Sequence, residues 1–167
     1  LLGSFMGALL VARLRGVDIR QLGSGNAGGT NALRTQGLAF AAAVVVIDVG
    51  KGWLAAGWLP GWSIPGIGGD ASVDRDWLTA ACGLCAVFGH VWPLWYDFRG
   101  GKGAATMVGA LVPLAPWLLV PVIATWVAVV LVSGYVAVAT MLAALVAPLV
   151  LLTVVRPMPW PVLCLTG

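Results

Sequence analysis

Val127-Ala128-Val129-Val130-Leu131-Val132-Ser133-Gly134-Tyr135-Val136-Ala137-Val138-Ala139-Thr140-Met141 decides the class of fold. It is the centre of a stretch from Ala104 to Val155 whose one polar break is Ser133-Gly134-Tyr135. A helix needs about 20 mostly apolar residues to cross the hydrocarbon core of a bilayer. Ala104 to Val155 has room for two such helices, or for three if a short one ends near Pro113; Pro116, Pro121 and Pro148 also fall within it. The whole chain follows suit, with 60% hydrophobic residues, 9% charged residues and a mean hydropathy of +1.00. A soluble domain carries about 25% charged residues. This chain has too few to cover its own surface, and no repeat suggests a fibrous alternative.

Working outward, Leu38 to Trp58 makes a full span interrupted by Asp48 and Lys51, and Trp77 to Phe88 runs on into Gly89-His90-Val91-Trp92-Pro93. Leu1 to Leu14 is apolar but short, and Met158 to Gly167 begins one more span. The expectation is an all-α polytopic membrane protein, a single domain over residues 1–167, with about seven transmembrane helices, the last cut short. Leu1 opens mid-pattern without an initiator Met, so the start of the protein is expected to lie upstream, and no cleavable signal peptide is visible.

The charges orient these spans. Arg13, Arg15, Arg20 and Arg34 follow the first span, and Arg99 and Lys102 follow the third. Short loops rich in Lys and Arg stay in the cytoplasm, which puts the N-terminus outside and both basic loops inside. The intervening Leu59 to Asp76 carries Arg75 among Asp70, Asp74 and Asp76. Trp53, Trp58 and Trp62 fit an interfacial belt near the outer surface. A net charge of +3 without a basic helix argues against nucleic acid. Cys82 and Cys85 form half of a zinc spacing, but no second Cys or His pair completes it, so no metal is expected and the thiols read as buried and apolar.

Both basic loops have the same make-up. The first contains Gly23, Ser24, Gly25, Asn26, Ala27, Gly28, Gly29, Thr30 and Asn31, followed by Arg34; the second contains His90, then Arg99, Gly100, Gly101, Lys102 and Gly103. Glycines let backbone amides approach an anion, and a helix starting just after them adds free N–H groups and the positive end of its dipole. Arg34, Arg99 and Lys102 add full charges. Flexible connections with positive-inside charges would explain one such loop; two on one face point to a site for two phosphates, or for a phosphate and a developing oxyanion. A Walker A loop is excluded, because Tyr96 stands where its first Gly belongs and Gly103 follows Lys102.

His90 is the only histidine. It reads either as a helix-end residue bonded to a carbonyl or, beside a glycine-lysine loop, as a proton acceptor or positioner for an attacking hydroxyl. Asp48 and Lys51, at i and i+3, are expected to pair inside the membrane, where lone charges are costly. Either a helix-locking pair or a direct role fits them. Gly50 and Gly52 beside them would let another helix approach.

These motifs resemble the PlsY family, bacterial membrane glycerol-3-phosphate acyltransferases that use acyl phosphate. The resemblance rests on Gly-Ser-Gly-Asn-x-Gly-x-Thr-Asn-x-x-Arg from Gly23 to Arg34, Asp-x-x-Lys-Gly from Asp48 to Gly52, Gly-His-x-x-Pro from Gly89, and Gly-Gly-Lys-Gly-x-x-Thr up to Thr106, and it runs from Leu1 to about Thr140. It implies a seven-helix fold and transfer of an acyl group to the 1-hydroxyl of glycerol 3-phosphate, with no cofactor. It implies residence in the bacterial inner membrane, and makes the enzyme that produces acyl phosphate a candidate partner. By motif position it marks Ser24, Asn31, Arg34, His90 and Lys102 as functional, and Gly100, Gly101 and Gly103 as a phosphate loop. The family usually has Phe at Trp92 and a further cytoplasmic motif with basic residues, Asn and Glu, which is expected to be missing here because the sequence stops at Gly167. A transporter or channel for an anionic solute is the competing class, since broken helices bind anions there too; no inverted repeat is visible, and both loops lie on one side.

Overall fold

The structure, a computed structural model, describes residues 1–62, 74–154 and 159–167. Its helices are α1 (Gly7–Leu14), α2 (Gly29–Gln36), α3 (Leu38–Trp53), α4 (Arg75–Val91), α5 (Ala104–Leu111), α6 (Leu119–Ser133), α7 (Val136–Val154) and α8 (Trp160–Thr166). No strand occurs among the described residues. Asp70 and Met158 lie outside them.

Three helical stretches are long and apolar enough to cross a membrane: Leu38–Gly61, Pro116–Ser133 and Val136–Val154. The first is α3 prolonged by a π-turn at Leu54–Trp58 and a 3-10 turn at Leu59–Gly61. At 24 residues it is about 36 Å long at 1.5 Å per residue, enough for a core of about 30 Å. The other apolar segments are helical but shorter. α4 has 17 residues, α1 and α5 have 8 each, and α8 has 7. Two of these shortenings, of α1 and of α5, have a visible cause. Phe5 is extended ahead of α1, and its carbonyl accepts from Lys51 Nζ at 2.8 Å. Pro113, lacking an N–H and clashing with helical backbone before it, stops α5 at Leu111. Ala104 to Val155 therefore yields three helices, the first ending beside Pro113. Between the second and third of these, Gly134 takes a φ of 71° and ends α6, while the Ser133 hydroxyl accepts from Tyr135 N at 3.1 Å.

The first glycine loop does not enter the apolar span at once. α2 intervenes, and Gly37, with a φ of 85°, turns the chain from it into α3. Helices approach closely where side chains are small, as membrane helices do. A Cβ on Gly52 of α3 would overlap the Thr106 carbonyl of α5, and one on Gly109 would overlap the Val49 carbonyl. Gly50 takes no such part: nothing lies within 4 Å of a Cβ built there. Two positions apart on a helix point in nearly opposite directions, so only one of the two glycines can face α5.

One apolar core joins Met6, Leu9, Ile19, Phe40 and Val44 beneath the first glycine loop. A second joins Leu111, Leu118, Leu151 and Leu165. α6 buries none of its residues, and its exposed Val, Leu and Ile side chains have the polarity of a lipid-facing surface. Cys85 and Cys164, read from sequence as buried, are exposed, and Cys82 is half-buried; on an apolar helix, exposure to lipid leaves a thiol in an apolar medium all the same.

Candidate active site

The first loop is shaped by two polar side chains. Asp18 accepts from Arg20 N at 3.0 Å, from its Nε at 3.1 Å, and through Oδ2 from its Nη2 at 3.1 Å. Hydrogen bonds from the guanidinium hold the Asp18 carboxyl below the usual carboxylate range, and the carboxylate raises Arg20 in turn. The chain then bends around Ser24, with Gly23 and Gly25 at φ 57° and 73°. Asn31, buried in the first turn of α2, fixes the bend. Its Oδ1 accepts from Ser24 N at 3.0 Å, and its Nδ2 donates to Leu22 O at 2.9 Å and to Ile19 O at 3.2 Å. Asn31 is thereby a brace within the loop, while the Ser24 and Arg34 side chains are exposed. Asn26 and Thr30 are half-buried, and Asn26 O accepts from Gly28 N at 3.0 Å.

The second loop folds back on the end of α4. Asp97 and Phe98 take φ values of 55° and 57°, left-handed backbone that a bulky residue seldom adopts. They turn the chain so that Gly100 N donates to Val91 O and Gly101 N to His90 O, each at 3.2 Å. These bonds satisfy carbonyls that the last turn of a helix leaves open. A side chain on Gly100 would overlap the His90 carbonyl, and one on Gly101 would overlap His90 Nε2. The expectation that the amides of Gly100 and Gly101 face an anion is thus corrected: they are committed to α4. Gly103, at φ 78°, precedes α5. The first helical bond there is Met107 N to Gly103 O at 2.8 Å, which leaves the amides of Ala104 and Ala105 at the open end of α5 beside the exposed Lys102.

His90 is buried beneath this loop, at 3% exposure. Its Nδ1 lies 2.8 Å from Lys51 Nζ, 3.1 Å from Thr106 Oγ1 and 3.5 Å from Asp48 Oδ1. Asp48 and Lys51 pair as expected, at 2.9 Å, and Asp48 Oδ1 also accepts from Gly7 N at 3.1 Å. The cluster ties α1, α3, α4 and α5 together. His90 is not bonded to a backbone carbonyl through its ring, and no hydrogen bond joins it to Ser24 among the described residues.

Asp18, Arg20, Gln21 and Gly25 of the first loop and Val91, Asp97, Phe98, Arg99, Gly100 and Gly101 of the second line one open cavity of about 660 Å³. Of the expected residues, Gly25, Arg99, Gly100 and Gly101 are at its wall, and His90 stands behind Gly101. Ser24, Asn26, Thr30, Asn31, Arg34, Lys102 and Gly103 do not line it. Arg20, Asp18 and Asp97 do, and sequence reading missed them as site residues. The available signal was Asp18 two residues before Arg20, a carboxylate able to orient a guanidinium.

The two glycine loops thus meet on one cavity, each bringing a cation to it, Arg20 from the first and Arg99 from the second. Residues 1–166 match the family model described as glycerol-3-phosphate acyltransferase. The chain belongs to the glycerol-3-phosphate acyltransferase family. It is 43% identical over 118 residues to the glycerol-3-phosphate acyltransferase of Halalkalibacterium halodurans, covering 70% of this chain and 53% of that protein. To the one from Sinorhizobium fredii it is 42% identical over 125 residues, covering 74% and 55%. The chain spans about half the length of these curated relatives. Its fold is similar to the crystal structure of PlsY, an integral membrane glycerol 3-phosphate acyltransferase, in the glycerol 3-phosphate form, with a TM-score of 0.81 at 32% identity over 99% of this chain and 78% of PlsY. The lysophosphatidic acid form of PlsY gives a TM-score of 0.79 at 32% identity over 99% and 77%. The likeness to this family therefore continues past Thr140, through α7 and α8.

Proposed function

We propose that this protein transfers a fatty acyl group from acyl phosphate to the 1-hydroxyl of glycerol 3-phosphate, giving lysophosphatidic acid and inorganic phosphate, the first step of phospholipid synthesis. The observation that carries this reading is the cavity shared by the two glycine-cation loops. PlsY has been crystallised in glycerol 3-phosphate and lysophosphatidic acid forms, which supports glycerol 3-phosphate as acceptor and lysophosphatidic acid as product.

The hydroxyl oxygen attacks the acyl carbon, a tetrahedral oxyanion forms, and the bond from the acyl carbon to the bridging oxygen breaks, that oxygen leaving as part of inorganic phosphate. Arg99, on the cavity wall, holds phosphate oxygens; Arg34 and Lys102, exposed on the two loops but outside that wall, reach toward phosphate oxygens from there, and the open amides of Ala104 and Ala105 meet negative charge at the start of α5. Ser24 hydrogen-bonds the acceptor through its exposed hydroxyl. The hydroxyl proton passes to the departing phosphate, because His90 Nδ1 is engaged by Lys51 and Thr106. The donor is already activated, so no acyl-serine is required. The acyl chain lies in the bilayer beside the exposed apolar helices.

Among the described residues, three helical stretches are long and apolar enough to cross a membrane, and we read the shorter helices α1, α4, α5 and α8, which lie in apolar segments, as the remainder of about seven membrane segments. Positive-inside charge supports a cytoplasmic site and an external N-terminus, and the resemblance to bacterial relatives supports the bacterial inner membrane as location. To test the donor, the purified protein in detergent is given labelled glycerol 3-phosphate with acyl phosphate or with acyl-coenzyme A. Lysophosphatidic acid is expected with acyl phosphate alone; formation from acyl-coenzyme A alone would overturn the donor assignment.

A further inference from the structure

The buried cluster under the second loop has a property that follows from counting its hydrogens. Lys51, paired with Asp48, is an ammonium with three N–H groups and no lone pair. Three partners surround its Nζ: Phe5 O at 2.8 Å, Asp48 Oδ1 at 2.9 Å and His90 Nδ1 at 2.8 Å. The first two accept only, and Nδ1 can take the third hydrogen only as an acceptor. A hydrogen on Nδ1 itself would point between Lys51 Nζ at 2.8 Å and Asp48 Oδ1 at 3.5 Å, driving two donors together to reach the longer contact. Thr106 Oγ1, at 3.1 Å, approaches the same Nδ1 lone pair from α5 as the more distant of two competing donors.

We propose that Lys51 is a positioning residue that fixes His90 as the Nε2–H tautomer. The ring then presents a hydrogen-bond donor, rather than a base, at the back of the seam between the loops. Nε2 makes no hydrogen bond among the described residues, and it adjoins Gly101: a Cβ there would overlap it and would come 3.0 Å from Ala27 O of the first loop. Only glycine at position 101 leaves this N–H unobstructed. Which nitrogen of a histidine carries the proton is set by the partner of the other nitrogen, and here that partner is a lysine 39 residues away in sequence. The inference concerns the same site as the proposed acyl transfer, but its test reads the protein without substrate, so the two fail separately.

The test is long-range proton–nitrogen correlation NMR on the 167-residue chain in detergent, labelled with ¹⁵N-histidine. His90 is its only histidine, and His90→Gln confirms the assignment by loss of the signals. At a pH of about 8, above the ordinary imidazole pKa of roughly 6.5, a protonated Nε2 and an unprotonated Nδ1 are expected. Lys51→Arg, still a pure donor, is expected to keep that pattern, and Lys51→Met to lose it. An Nδ1–H tautomer or a doubly protonated ring in the wild type overturns the proposal, as does an unchanged pattern in folded Lys51→Met. If Lys51→Met does not fold, Thr106→Val decides with the wild type: the Nε2–H tautomer must survive it, and a switch to Nδ1–H would assign the control to Thr106 instead.

Discussion

Lys51 Nζ sits 2.9 Å from Asp48 Oδ1, with the two side chains 3% and 2% exposed near the middle of the helical stretch Leu38–Gly61. Removing one partner of a buried ion pair leaves an uncompensated charge and costs about 3–5 kcal/mol, whereas replacing both can be close to neutral. Asp48→Ala is therefore expected to destabilise the detergent-solubilised protein by about that amount, and Asp48→Ala with Lys51→Met by clearly less. Thermal unfolding of the two single variants and the double variant checks it. A double variant that loses the sum of both single losses would show that the pair has no coupled role.

The glycines of α3 give a matched pair of expectations. Gly52→Ala puts a methyl group onto the Thr106 carbonyl, and overpacking of this kind typically costs about 1–3 kcal/mol. Gly50→Ala meets nothing within 4 Å and gains helix propensity of up to about 1 kcal/mol. Melting temperatures should fall for the first and hold or rise for the second. Equal losses would mean that α3 and α5 do not cross at Gly52.

Lys102 carries its charge exposed at the start of α5. Hydrogen bonds to charged groups contribute about 1.5–3 kcal/mol, so Lys102→Ala should raise KM for a phosphate-bearing substrate about ten- to a hundredfold, and Lys102→Arg far less. Steady-state kinetics against each substrate measures this. An unchanged KM in Lys102→Ala would remove Lys102 from the binding set.

Much of this was legible in the sequence, and the reason is locality. Each apolar span is a property of its own composition, so α3, α4, α6 and α7 could be placed without knowing their neighbours. The pairing of Asp48 with Lys51 was legible too, because three positions along a helix bring side chains together. What escaped were relationships between segments. Nothing local to His90 indicates that Lys51 occupies its Nδ1, and nothing in Gly100-Gly101 reveals that their amides turn back to α4. The late start of α1 has the same origin: Phe5, just before it, gives its carbonyl to Lys51, 46 residues on. Arg20 was read as an orienting charge, and only the meeting of the two loops puts it on the cavity wall.

Ser24 bears on whether a covalent intermediate forms. Its backbone N–H is held by Asn31, and no base is hydrogen-bonded to its hydroxyl among the described residues. Incubation with acyl phosphate alone is expected to leave Ser24 unmodified by mass spectrometry. Acyl-Ser24 forming as fast as turnover would replace direct transfer with a ping-pong reaction.

The reading of this protein as an acyltransferase rather than a carrier is tested by following labelled glycerol 3-phosphate with purified protein and acyl phosphate in detergent, where no compartment exists, and in sealed vesicles. Conversion of label to lysophosphatidic acid in detergent, with one phosphate released per acyl group transferred, is the result expected. Label that stays water-soluble in detergent yet accumulates unmodified inside vesicles would contradict it and make the two glycine loops a transport site.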